Sequence, residues 1–250
     1  MQLYNEWLPA EATIDIDGKM VNIRCPSKIA LFGALGHLCT ETNHLFLRNV
    51  SKARPIDYVV DVGANVGATA LLFQRAFPDA RILAIEPASV NYDCLLHNIK
   101  DFSQIVPLKM AAFDKRAEIR LSMPTLAQRP DLMARFGNAG LFSVYGEDTK
   151  HSEKVCADKL DDILDGRVDF LKIDVEGAEA LVLSGANRIM TEDRPVVVIE
   201  VRESNLSMSG HTIQEYRNHF SSLSYSVVGD YRGDVVLCPK EYAAIAREMP

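Results

Sequence analysis

The residues of this 250-residue chain best suited to chemistry fall in two blocks. The first is "DVGANVGATALLF", residues 61–73, in which Asp61, Gly63, Asn65 and Gly67 end an alternating apolar run and open a helical one. Glycines at these points let the backbone turn sharply and approach a ligand, and the exposed amides at the start of the next helix suit an anionic group. The second block, "FLKIDVEGAEAL", residues 170–181, sets Lys172, Asp174 and Glu176 at alternate positions, on one face of a strand that otherwise reads as buried core. Charges are rarely buried without partners, so these three must face a polar cleft, one another, or both.

Glu86, followed by Pro87, closes "RILAIEP" and so sits at the tip of the neighbouring strand. A carboxylate there can accept both hydroxyls of a ribose, which points to an adenosine ligand with a free 2′-hydroxyl. The rival reading is the dinucleotide fingerprint GxGxxG of an NAD(P)-dependent oxidoreductase. Its middle glycine is replaced here by Asn65, whose side chain obstructs a pyrophosphate but can hydrogen-bond a smaller ligand carrying a carboxylate and an amine. A non-catalytic cofactor-binding domain is the alternative outside enzymes.

Lys172, Asp174 and Glu176 are the candidate catalytic residues. Asp174, at a strand tip, can position an acceptor or take its proton. Glu176, with Glu200 at the end of "PVVVIE", can complete a carboxylate cluster for substrate or a divalent cation, although a need for metal is not legible in the spacing. In a purely structural reading, Asp174 and Glu176 instead neutralise the start of a helix beginning near Gly177. None of the six histidines has ligand spacing, although His37, His44, His151 and His211 lie in segments able to border a cleft. No GxSxG elbow supports a serine hydrolase.

Positioning these residues requires a frame, and the chain between 56 and 250 supplies one. Strand-like "YVVDVG", "RILAIEP", "IVPLKMAAF", "VDFLKIDVEG" and "RPVVVIEV" alternate with helical "GATALLFQRAF", "VNYDCLLHNIK", "AEALVLSGANRIM" and "TIQEYRNHFSSL". That alternation predicts an α/β fold with a doubly wound, mostly parallel sheet of Rossmann-like type. "YSVVGDY" and "DVVLCPKE" add a C-terminal antiparallel pair. Residues 1–55 read as an extension able to cap the substrate, with a hairpin turning at Asp17-Gly18 and one or two short helices. Residues 124–154 read as a long loop or lid.

Composition narrows the partners. A net charge of -7 argues against nucleic acid. Five scattered cysteines without a CxxC pair imply reduced thiols. The opening residues have no basic start or apolar core, and no later apolar run approaches the ~18 residues of a spanning helix. A soluble, cytoplasmic protein without membrane insertion is expected, and the sequence leaves a homo-oligomer open.

"DVGANVG" followed by "AIEP", "AAFDK" (111–115), "LKIDVEGAE" (171–179) and "PVVVIE" (195–200) is similar to the FkbM family of S-adenosylmethionine-dependent methyltransferases, over roughly residues 40–240. The resemblance implies a class I methyltransferase fold with Asp61, Gly63, Asn65 and Gly67 around the methionine part of the cofactor. It sets Glu86 on the ribose, Ala111, Ala112 or Asp114 beside the adenine, and Glu41 of "TETN" near the amino group. It also implies methyl transfer to oxygen on a small hydroxylated acceptor such as a sugar, glycoside or polyketide-type product. Asn138 of "GNAG" and Glu200 are the candidate acceptor contacts.

Overall fold

The computed structural model describes residues 9–39, 47, 50, 54–122, 142–146, 152–231 and 233–247. Strands β1 (Ala10–Ile16) and β2 (Lys19–Cys25) form the expected hairpin, Ile16 facing Lys19. Asp17 and Gly18 both take positive φ there, as a two-residue hairpin turn requires. The hairpin is no loose appendage: Ile23 and Cys25 share a core with sheet residues Val59 and Ile82. Asn98 further ties it down, donating to the carbonyls of Arg24 and Val66, each at 2.8 Å. Helix α1 (Lys28–Cys39) follows.

The frame then runs β3 (Tyr58–Val62), α2 (Ala68–Ala76), β4 (Arg81–Ile85), α3 (Ser89–Ile99) and β5 (Ile105–Leu108). After short strands β6 (Ala111–Ala112), β7 (Ala117–Leu121) and β8 (Glu153–Asp158) come α4 (Leu160–Ile163), β9 (Phe170–Ile173), α5 (Glu179–Ser184) and β10 (Val196–Glu200). Helices α6 (Glu203–Ser209) and α7 (Ile213–Ser222), strands β11 (Tyr225–Tyr231) and β12 (Asp234–Pro239), and helix α8 (Lys240–Arg247) complete it.

Seven strands pair in the order β11-β12-β10-β9-β3-β4-β5; β10, β9, β3, β4 and β5 are parallel, while β12 and β11 are antiparallel, as the terminal sequence pair predicts. Successive residues of each strand enter different cores: Val59, Phe170 and Val196 on the face of α2 and α3, Val60, Leu171 and Val197 on the face of α5 and α7. Burial on both faces explains the near-continuous apolar strands. Strand order reverses between β3 and β9, and ligands of open α/β sheets bind beyond the carboxyl ends at such a point. No helix among the described residues is long and apolar enough to cross a membrane.

Two expectations need correction. "IVPLKMAAF" is not one strand: β5 stops at Leu108, and Ala111–Ala112 joins a separate three-stranded sheet beside β8. Pro107 cannot extend a ladder on its outer side, which is tolerated because β5 is an edge strand. "AEALVLSGANRIM" is not one helix either. It breaks at Gly185, where a Cβ would overlap the carbonyl oxygen of Phe113, and resumes as a π-helical turn at Ile189–Asp193.

Candidate active site

Asp61 and Lys172 are register partners on the adjacent strands β3 and β9. Asp61 is wholly buried; Thr69 Oγ1 donates to its Oδ2 at 2.6 Å, and Lys172 Nζ lies 3.4 Å from its Oδ1. The same ammonium is 3.3 Å from Asp174 Oδ2. Burial opposes the charge on Lys172, yet Asp174 and Asp61 carry its pKa above the ordinary lysine value. The result is a fixed cation inside the sheet that holds the part-exposed Asp174 carboxylate at the strand tips.

The glycine turn is built differently from its sequence reading. Gly63 and Gly67 take φ of +79° and +85°, but the space beside each belongs to the protein, not to a ligand. A Cβ on Gly63 would overlap the Asp174 carbonyl, and one on Gly67 would press on Leu95 of α3. Asn65 brings a side chain from this turn to the cleft, with φ of +52° and a buried Oδ1 that has no hydrogen-bond partner.

Glu86 is 5% exposed, and its oxygens accept from Asn65 N and Ala88 N, both at 2.9 Å. The carboxylate therefore braces the glycine turn as well as facing the cleft. A carboxylate has about four acceptor positions, so donors from a ribose can still be received. Burial raises the Glu86 pKa to about 7, against the pull of the Ala88 and Asn65 amides.

Lys172, Asp174 and Glu176 do not share a strand face as the alternation implies. β9 ends at Ile173, and Glu176 sits in the following turn with φ of +51°. That turn nonetheless brings Asp174, Glu176 and Glu200 together, with one oxygen of each within 4.8 Å of the others. Arg202 Nε stands 2.6 Å from Glu200 Oε1, and Asn205 donates to Oε2 at 2.7 Å. Burial, with Asp174 and Glu176 alongside, still pushes Glu200 well above the carboxylate range. The Arg202 guanidinium pulls the Glu200 pKa down without restoring the ordinary value.

Glu179, the first residue of α5, braces the turn that precedes the helix, its Oε1 accepting from Val175 N at 3.2 Å and Gly177 N at 3.1 Å. Burial raises Glu179 to about 7. Its contribution to stability is complete below about pH 4.5 and is lost as pH rises through 7, a change of about 3 kcal/mol. Urea unfolding should show the wild-type protein losing that much more stability than Glu179→Gln between pH 4.5 and 8; parallel pH curves would contradict the assignment.

These groups border a cleft at the switch point. Gly63, Asn65, Glu86 and Pro87 line one side, Asp174, Glu176 and Glu200 the other, and Ala112 lies on the β6 wall. Asp61, Gly67 and Lys172 stand behind this lining, and Asp114 lies outside it, with Phe113 in its place. Glu41, Asn138, His44 and His151 fall outside the described residues. His37 of α1 reaches the cleft, whereas His211 pairs with Glu215 at 3.4 Å, away from it. Phe142 and Val144 close the β7 side, and Ser143 donates to the Glu176 carbonyl at 2.8 Å.

Sequence reasoning missed Thr69, Glu179, Arg202 and Asp234. Thr69 and Glu179 were within reach, being the polar residues in the first turns of the helices that follow the two motif blocks. Arg202 and Asp234 reach the cleft through strand neighbours that no local pattern announces.

The donor set fits S-adenosylmethionine. Asp174 and Glu176 suit a sulfonium and an ammonium group, Glu86 suits ribose hydroxyls, the orphaned Asn65 Oδ1 can receive an amine, and Ile119, Leu121 and Phe142 offer an apolar wall to a flat base. Strand order, glycine turn and acid-lined switch point together define a Rossmann-like fold of class I type, and membership of a methyltransferase family makes S-adenosylmethionine the cofactor. The Methyltransferase FkbM domain family matches residues 61–227, and the chain belongs to that family. Methyltransferase sdnD of Sordaria araneosa is 32% identical over 176 residues, which cover 58% of this chain and 66% of that protein. The 31-O-demethyl-FK506 methyltransferase FkbM of Streptomyces tacrolimicus is 26% identical over 202 residues, covering 71% and 77%. A crystal structure of Methyltransferase FkbM from Methylobacillus flagellatus KT shares the fold, with a TM-score of 0.50 and 20% identity, over 73% of this chain and 43% of that one. The chain thus spans less than half of that crystallised protein and just under two thirds of sdnD.

Proposed function

We propose that this protein is an O-methyltransferase acting on a hydroxyl of a small metabolite, of the sugar, glycoside or polyketide type. The observation that carries the reading is the Asp174 carboxylate, clamped by Lys172 and opening on the cleft that Asn65 and Glu86 also line. Bound S-adenosylmethionine supplies an electrophilic methyl on sulfur. Asn65 and Glu86 hold the nucleoside and amino-acid parts, while Phe142 and Val144 exclude water from the reacting centre. Asp174 would take the proton that the acceptor hydroxyl loses on becoming a methyl ether, the cofactor supplying the methyl group and leaving as S-adenosylhomocysteine. The demethyl-FK506 enzyme among the relatives favours oxygen as acceptor atom.

Calorimetry with S-adenosylhomocysteine and NAD, followed by mass spectrometry of hydroxylated compounds incubated with S-adenosylmethionine, tests this. Binding of the homocysteine compound alone, with methylated oxygen products, is expected. NAD binding would restore the oxidoreductase reading, and cofactor binding with methylation confined to nitrogen or carbon would remove the oxygen assignment.

The Glu86 role has its own signature. Ribose hydroxyls donate to the ionised form, and the free group titrates at about 7, so S-adenosylhomocysteine affinity should rise about tenfold from pH 6 to pH 8. In Glu86→Gln affinity falls and this slope disappears. A slope that survives the substitution would assign the ribose to another group.

A further inference from the structure

A second, smaller hollow adjoins the cofactor cleft, and His37 of α1, Asp174 and Asp234 border both. Beyond this shared mouth the character changes. Leu72 and Phe73 of α2, Leu47, Val198 of β10 and Val236 of β12 make apolar walls, and Thr69 and Lys172 complete the lining. The cleft proper exposes mostly polar surface, whereas the recess exposes mostly apolar surface.

Carboxyl groups dominate its mouth, where His37 is the other titratable side chain. Lys172 is engaged by Asp61 and Asp174 at 3.4 and 3.3 Å, so its ammonium is neutralised within the sheet. Asp174 and Asp234 then line the mouth with carboxyl groups. A ligand entering the recess passes Asp174 while its leading part meets only side-chain carbon. A neutral molecule gains from burying its apolar surface, but a carboxylate or phosphate meets like charge and a low-dielectric wall.

We propose that this recess is the acceptor subsite: it receives the apolar body of an uncharged acceptor, leaves the reacting hydroxyl beside Asp174, and turns anionic acceptors away through Asp174 and Asp234. The proposal rests on the methyltransferase reading and narrows it, from hydroxylated metabolites at large to neutral ones whose hydroxyl adjoins an apolar face. Phosphorylated or acidic sugars are thereby excluded. Val198 and Val236 become determinants of acceptor size, and Asp234 a determinant of acceptor charge.

The test uses the full chain with S-adenosylhomocysteine bound and leucine and valine methyls labelled for NMR. It is titrated with cyclohexanol and, separately, with cyclohexanecarboxylate, which carries an anion on the same ring. Cyclohexanol should shift the methyls of Leu72, Val198 and Val236, and the carboxylate should bind at least about tenfold more weakly. Asp234→Asn should narrow that gap. Val236→Phe fills the recess and should abolish the cyclohexanol response; the milder Val198→Leu should weaken it should the larger side chain impair folding. S-adenosylhomocysteine affinity, measured on every sample, reports folding and the cofactor site separately. Equal binding of the two ring compounds, shifts confined to other methyls, or a response untouched by Val198→Leu would overturn the recess assignment while cofactor binding stood. Failure of the unsubstituted protein to bind S-adenosylhomocysteine would overturn the methyltransferase reading itself.

Discussion

Asp174→Asn is expected to lower turnover by about 10²- to 10⁴-fold, the range lost when a positioned general base is removed. Asparagine keeps the shape and can still accept from Lys172, and that ammonium retains Asp61 at 3.4 Å, so the sheet interior is preserved. Two further measurements separate catalysis from scaffolding. S-adenosylhomocysteine carries a neutral sulfur and should bind the variant with unchanged affinity, whereas binding of the sulfonium donor should weaken with the loss of a nearby negative charge. KM for the acceptor should change less than kcat, because proton removal belongs to the transition state. Full turnover in the variant would reduce Asp174 to a counter-ion for Lys172.

The parallel frame was legible because its signal is local. Doubly buried strands such as "YVVDV" and "VVVIE" advertise themselves as apolar runs, and the Asp17-Gly18 turn can be read within a few residues. What sequence withheld is convergence. Lys172 and Asp61 are each visible as charges on apolar strands, but only the β3–β9 register makes them a pair. Glu200 likewise meets Glu176 only because β10 follows β9 in the sheet while the turn after Ile173 swings Glu176 back with positive φ. Alternation led to a shared strand face for Lys172, Asp174 and Glu176, because periodicity assumes that a strand continues, and this one ends at Ile173. Glu86 shows the complementary limit. Its place at a strand tip follows from the pattern, but its second task, accepting the Asn65 and Ala88 amides, depends on how the glycine turn folds over it.

That fold-over sets the steepest structural requirement in the site, and Gly63→Ala should cost more than about 3 kcal/mol of stability. A left-handed φ alone is worth about 1–2 kcal/mol against an L side chain. At Gly63 a Cβ also meets the carbonyl of Asp174 head-on, and it is backbone, not a flexible side-chain end, that would have to give way. Relief requires parting the tips of β3 and β9, which breaks the 3.0 Å bond from Asp174 N to Val62 O and draws Asp174 off the cleft. Gly18 is the internal control, with φ of +85° but nothing within 4 Å of its notional Cβ. Gly18→Ala should therefore cost only the conformational part, about 1–2 kcal/mol. Urea unfolding of the two variants side by side reads the difference directly. Equal losses would mean that β3 and β9 do not approach at Gly63 as described, and that Asp174 is held at the cleft by Lys172 alone.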